Sequence, residues 1–327
     1  MNRPSTWVAF SCLVGACGGG GAATSGSGRM TGTGGTPVTG TGGTAIGGSG
    51  SGESLCGAVL LSATKTIAVG ATLTVCAGAT VTLTGSASIA VGGTLVINGT
   101  EASPVRFKGT QTSDGSWPGV VVQSGGTLTG TFFEIHGAAM GIDGQDGSSF
   151  QIDHVLIDTT SQALNLASSG SLSHGVLHGL GDGQISPAIL VDSASPHIVD
   201  TLVNQGAYGA EDLIVVNGAS AAPVFDHVEV SDSHCAFHVN DGSGLTISNS
   251  YLHHNAYGIM PAGSTGTVIS HTNFEDNLIN VGSCDTTATG QLIADYFQRQ
   301  PADDSCLQFR LTNVVTAAYT TDIGPRP

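Results

Sequence analysis

From about Gly57 the chain alternates apolar and polar residues with a period of two. Thr66 to Val75 reads TIAVGATLTV, placing Ile67, Val69, Leu73 and Val75 at the spacing of one face. The runs ATVTL, ASIAV and TLVI follow, each closed by a glycine-containing turn. Alternation in runs this short, with turns this frequent, predicts short β-strands with one buried face and leaves little room for helix.

Further along, the strands repeat. Seven segments superpose: TLTGTFFEIHG from Thr127, FQIDHVLID from Phe150, SLSHGVLHG from Ser171, PHIVDTLVN from Pro196, PVFDHVEVS from Pro223, LTISNSYLHHN from Leu245 and TVISHTNFEDN from Thr267. Their starts are 23, 21, 25, 27, 22 and 22 residues apart. Between them runs a second short apolar element: GVVV at Gly119, GID at Gly141, LNL at Leu164, ILV at Ile189, LIVV at Leu213, FHV at Phe237 and GIM at Gly258. A repeat of this length built from strands and turns alone predicts a β-solenoid, because a single coil cannot bury its inner face without stacked neighbours. A β-sandwich would need hairpins, and no six-residue repeat of the left-handed solenoid type is present.

The stretch ISNSYLHHNAYGI, Ile247 to Ile259, carries the pattern I-x-N-x-x-x-x-x-N-x-x-G-I. With SPVRFKGTQTSDGSWPGVVV, Ser103 to Val122, it resembles the right-handed parallel β-helix family with the pectin-lyase-like fold. The resemblance covers residues 57 to 285 and implies the handedness, which the period alone does not fix. The expected fold is all-β, a single-stranded right-handed parallel β-helix of about ten coils, on the order of 50 Å long at about 4.8 Å per coil, with a disulfide-linked C-terminal cap.

Composition agrees. Fifty glycines and a 10% charged fraction suit turns and strands rather than helices. The net charge of −16, with 8 basic against 24 acidic residues and no basic run, excludes phosphate-backbone recognition, so no nucleic-acid partner is expected.

The N-terminus predicts export. In MNRPSTWVAFSCLVGAC, Arg3 precedes an apolar core of about ten residues, too short to span a bilayer. Val14-Gly15-Ala16-Cys17 resembles a bacterial lipobox, which makes Cys17 the expected lipidation site. Cys12 is the rival, and an ordinary secretory signal the alternative. Residues 1–16 are then a signal peptide, and 17–55 a Gly/Ser/Thr-rich tether that cannot bury apolar surface. The β-helix is assigned to 56–285 and the cap to 286–327. Membrane attachment through the N-terminal lipid and a location in the cell envelope, at the outer membrane or cell surface, follow as expectations, with a monomeric body.

Cysteine placement fits an oxidising compartment. Cys56 and Cys76 bracket the first coil, and Cys284 and Cys306 the region after the last clear one, predicting two disulfides. Cys235 is left as a lone thiol packed near a strand. Gly290 to Gln300, GQLIADYFQRQ, is expected to form a short amphipathic capping helix.

The aligned columns sort the candidate chemistry. Thr131, His154, Gly175, Asp200, His227, Asn249 and His271 fall at a corner where the resembled family carries an asparagine ladder, so an internal polar ladder is expected there. His136, Asp158, His178, Asn204, Ser231, His253 and Glu275 fall on the outer face of the later strand. Of these, His136, Asp158, His178, His253 and Glu275 are the candidate ligand-binding residues, for a sugar or a divalent cation. His254 is expected to point into the turn or solvent.

The polysaccharide-cleaving members of the resembled fold place acids and bases on the first strand's outer face. Val121, Asp143, Asn165, Leu190, Val215, His238 and Met260 match it here. That column has one acid and no lysine or arginine, so neither the cation and base of a lyase nor the paired carboxylates of a glycosidase is visible, and no catalytic residue is assigned. No metal group is identified and no cofactor is required. Asp143, Asp146 and Asp153 give a weak Ca²⁺ loop that matches no standard motif. The expected function is a lipid-anchored binding or scaffold protein, with envelope polysaccharide as the candidate partner. A carbohydrate-active enzyme of the same fold and a structural or adhesive module are the alternatives.

Overall fold

A computed structural model describes residues 52–111, 113–158, 160–178, 186–204, 212–240, 242–282, 288–299 and 308–326. These all belong to one compact unit, residues 48–327. The expectations for the signal peptide, Cys17, most of the tether and the Cys284–Cys306 pair lie outside the described residues.

Every named strand pairs in parallel with the strand one coil away. One sheet has ten strands, one per coil; the other has eighteen shorter or bent strands. Registers are regular. In the ten-stranded sheet Ile89, Val120, Ile142, Leu164, Ile189, Ile214, Phe237, Ile259 and Val281 stack in one column. All nine are buried, as the period-two pattern requires. The facing column in the second sheet runs Phe107, Ile135, Ile157, Leu177, Val203, Val230, Leu252, Phe274 and Phe297. Side chains from these faces meet in a continuous core of like upon like.

Local exceptions have local causes. Ile67, Leu73 and Val75 are buried as the alternation predicts, but Val69 is 87% exposed because it lies just before the turn at Gly70, whose φ is +79°. In the tryptophan-containing coil, Trp117 is buried and its indole Nε1 donates to the His136 carbonyl, 2.9 Å. Gly119 then passes so close to the next coil that an added Cβ would lie 1.6 Å from the Met140 carbonyl oxygen. No side chain fits there.

The predicted Cys56–Cys76 disulfide is present, joining the first two coils across a separation of 20 residues. The predicted capping helix is not. Thr289–Ile293 and Tyr296–Phe297 are strands, and no helix occurs among the described residues. The preceding coil ends in a row of unpaired N–H and C=O groups, and Thr289–Ile293 satisfies them by pairing with Thr265–Ser270. Gln308–Thr312 adds one further strand.

Candidate functional site

Each coil of the eighteen-stranded sheet bends sharply at one residue. Phe132, His154, His174, Asp200, His227, Asn249, His271, Ala294 and Asn313 occupy that corner, all with φ between 46° and 56°. A left-handed conformation in nine successive coils, at residues with a Cβ, is unusual; Asn, Asp and His tolerate it best. It also breaks the strand alternation, so the corner residue is not an inner one.

This corrects the expected internal ladder. His154 and His174 are partly exposed and His271 exposed, Asp200 and His227 are buried but against Arg326 and Asp322 of the C-terminal segment, and Thr131 and Gly175 flank the bend rather than occupy it. The internal ladder lies one residue downstream. Thr201 Oγ1 accepts from the Gly175 N–H, Ser250 Oγ from Val228, and Asp295 Oδ1 from Thr272. The asparagine ladder forms at the next corner, where Asn255 Oδ1 accepts from Ser233 N and Asn277 Oδ1 from Asn255 N.

Pushed outward, the corner side chains form a wall. The Phe132 and His154 rings stack at 4.2 Å and 24°, and the His154 and His174 rings at 4.3 Å and 20°. Asp153 ties the imidazoles down: its Oδ1 is 2.7 Å from His174 Nδ1 and its Oδ2 is 3.0 Å from His154 Nδ1. Burial would raise the Asp153 carboxyl, but hydrogen bonds from His174 and Ser173, with the His154 imidazole beside it, hold it below the usual carboxylate range.

Beside the wall runs a floor of outward-facing residues from adjacent coils: Glu134, Leu156, Val176, Leu202 and Glu229, in register. Wall and floor border two adjoining shallow hollows, open to solvent and of about 230 and 470 Å³, which share His154, His174 and Val176. The larger also reaches Asp200, Pro325 and Arg326.

The predicted outer column borders this floor, and its register holds: His136, Asp158 and His178 pair in turn, as do Asn204, Ser231, His253 and Glu275. The side chains form separate groups. His136 Nδ1 is 2.6 Å from Asp158 Oδ1 and its Nε2 is 3.0 Å from Glu134 Oε2. Burial would lower the His136 pKa, but bonds to Glu134 and Asp158 outweigh it and raise it. Arg106 grips Glu134 through Nε and a terminal nitrogen, at 2.8 and 3.2 Å. His253 bonds to Glu229 at 3.2 Å and stacks on Tyr251, whereas Glu275 accepts from the Tyr251 hydroxyl at 3.1 Å. Ser231 is buried, not exposed. The side chain of His178 lies outside the described residues. His254 is half exposed and contacts His253 Nδ1 at 2.7 Å, as expected of a turn residue.

The lower end of the corner is covered by the C-terminal segment, a relation the repeat pattern does not reveal. Tyr319 exchanges hydrogen bonds with Asn273, Asp322 meets the buried His227 at 3.0 Å, and the Gly324 N–H donates to the Asn249 carbonyl. Arg326 ends the run on Asp200, with 2.7 and 3.0 Å contacts.

The first-strand outer column also holds register from Val121 to Met260. There Asn165 donates to Asp143 Oδ1 at 2.8 Å. Asp143 and Asp153 belong to different sheets, and Asp143, Asp146 and Asp153 do not form a converging donor group among the described residues. Two groups with converging donors do occur among the described residues: Asp153, His154 and His174; and Asp212, His234 and Cys235. Imidazole and thiol donors do not suit Ca²⁺, which takes oxygen ligands.

No family model matches the chain, and no curated protein matches it. Among solved structures, the chain is similar to the enzymatically active domain of tailspike protein 2 of bacteriophage CBA120, with 13% identity and a TM-score of 0.52. The match covers 77% of this chain and 47% of that one, so the chain spans about half its length. A PL6-family alginate lyase (12% identity, TM-score 0.36, 76% of this chain and 40% of that one) and pectate lyase Pel9A (13%, 0.26, 76% and 70%) are more distant. The fold is a right-handed parallel β-helix. At these identities the likeness concerns the fold alone.

Proposed function

We propose that this chain is an exported glycan-binding β-helix, and that its ligand is an uncharged oligosaccharide lying along the coil axis against the Phe132–His154–His174 wall. The carrying observation is that stack of three flat rings, one per coil, above an apolar floor of Leu156, Val176 and Leu202. The stacked rings cover one another's faces, so a sugar along the coil axis meets their edges and packs its C–H groups on the apolar floor, while the carboxylates Glu134 and Glu229 at the floor's ends accept hydrogen bonds from its hydroxyls. The acidic surround, in a chain of net charge −16, disfavours polyanionic sugars.

Export and lipid attachment at Cys17 are part of the proposal. The apolar N-terminal core supports export, and the Cys56–Cys76 disulfide fits an oxidising compartment. Replacing Cys17 by Ala should release the protein from the membrane fraction.

One observation favours glycan cleavage as a second reading. His136, with its raised pKa, lies between Glu134 and Asp158 at the edge of the groove, where a protonated imidazole is a ready proton donor. A glycan-array screen of the full chain, with and without Ca²⁺, separates the readings. Retention of neutral glycans without product, weakened up to about tenfold by His154→Ala, supports binding. Release of reducing or unsaturated sugars, lost in His136→Gln, supports cleavage. Binding untouched by both His154→Ala and Phe132→Ala would remove the groove from the proposal.

A further inference from the structure

A second cluster stands on the ten-stranded sheet. Asp212 pairs in register with Cys235, one coil on. The intervening turn delivers His234 directly before Cys235, so imidazole and thiol arrive together beside the carboxylate. His234 Nδ1 is 3.0 Å from Asp212 Oδ1 and 3.4 Å from Cys235 Sγ, and the three donor atoms all lie within 4.8 Å of one another.

The 3.4 Å His234–Cys235 separation equals a metal's coordination edge, and the 3.0 Å His234–Asp212 separation is a few tenths of an ångström shorter than one. Tetrahedral zinc with bonds of about 2.0–2.3 Å sets its donors roughly 3.3–3.7 Å apart. The surroundings are ordered in the way metal ligands need. His238 Nδ1 holds the other Asp212 oxygen at 2.5 Å, and the Tyr257 ring meets His234 edge-on at 5.4 Å. Cys235 is buried, with the Met260 thioether 4.0 Å behind its sulfur, whereas the His234 side chain is 42% exposed.

We infer that Asp212, His234 and Cys235 form a binding site for a zinc-class divalent transition ion. His238 is the positioning residue that orients Asp212, and a fourth coordination place faces solvent. Mixed oxygen, nitrogen and sulfur donors select borderline-soft ions over Ca²⁺ or Mg²⁺. Binding would convert the Cys235 thiol to thiolate with release of its proton to solvent, and would join two successive coils through the metal.

The test is titration of the chelator-treated full chain with Co²⁺, then Zn²⁺. One equivalent of Co²⁺ should give a thiolate-to-metal charge-transfer band and intense tetrahedral d–d bands, both displaced by Zn²⁺. Cys235→Ser should abolish the charge-transfer band, and His238→Gln should weaken Zn²⁺ binding about 10–100-fold. Circular dichroism and thermal melting of each variant establish that it is folded. His234→Gln, which leaves the buried sulfur in place, serves if Cys235→Ser does not fold, and should likewise remove the signal. Absence of a charge-transfer band in the parent, or a band that survives in folded Cys235→Ser or His234→Gln, overturns the assignment. None of these readouts depends on the glycan groove.

Discussion

Arg326 and Asp200 are 126 residues apart in sequence, yet the guanidinium Nε lies 2.7 Å from one carboxylate oxygen and a terminal nitrogen 3.0 Å from the other. The Asp200 side chain is only 8% exposed, so this paired geometry is what permits a carboxylate at the corner. It fixes the last residues of the chain along the stack of bends and closes one end of the groove.

Arg326→Ala should therefore act in two ways. It leaves the buried Asp200 carboxylate without its cation, at a cost of about 1–3 kcal/mol discounted for the exposure of the arginine. Burial would raise the Asp200 carboxyl, but the Arg326 bonds hold it below its ordinary 3.8, so the stabilisation is present above that pH and lost as pH falls through the lower folded value. Denaturant melts should show the parent–variant difference shrinking as pH falls below about 4. With the tail loosened, the groove lengthens, and longer glycans should gain affinity relative to short ones.

Asp295 gives the opposite sign. It is fully buried in the ladder beneath the corner, with Oδ1 accepting from Thr272 N and Oδ2 without a hydrogen-bond partner. Burial pushes its pKa up to about 7, despite the hydrogen bonds from Thr272 and Ile293 that act to lower it. The folded state thus prefers the neutral acid, and stability falls as pH rises between the ordinary 3.8 and about 7. Asp295→Asn should remove that dependence and raise stability at pH 8 by on the order of 2–4 kcal/mol relative to its effect at pH 4. An equal effect at both pH values would contradict the assignment.

Reduction of Cys56–Cys76 frees a loop of 20 residues in the unfolded chain. The expected loss is about 3 kcal/mol on the chain-entropy account. Thermal melts of the Cys56→Ser, Cys76→Ser double variant, compared with the oxidised parent, measure it. The loss should be confined to the first coils, because each coil contacts only its neighbours.

Asn277→Ala should be costlier than its size suggests. Asn277 Oδ1 accepts from the Asn255 N–H, and its Nδ2 donates to the Leu252 carbonyl at 2.8 Å, all in the interior. Both backbone groups lose their partner, at about 2–4 kcal/mol in sum. Asn249→Ala, at the exposed side of the neighbouring corner, should cost less than half of that, and chemical denaturation of the two variants decides the order.

Much of this was legible in the chain. The period of two named the strands, and the 21- to 27-residue spacing named the stacking. Together they placed His136 beside Asp158 and His253 beside Glu275 correctly in register. The internal ladder was misplaced by one residue because a left-handed bend breaks the alternation at His154 and His227, and no local sequence rule marks where the face changes. Gly290 to Gln300 has helical spacing, yet an open sheet edge recruited Thr289–Ile293 as strand.

Sequence alone determined the repeat, because each coil must bury the same alternating residues against its neighbours. It also determined the first disulfide, since two cysteines bracket one coil. Tertiary structure decided which polar residues meet. The ring wall of Phe132, His154 and His174, the hold of Arg326 on Asp200, and the convergence of Asp212, His234 and Cys235 all join different coils. Side-chain direction at a bend and the return path of the C-terminal segment set those contacts, and neither is encoded in a local period.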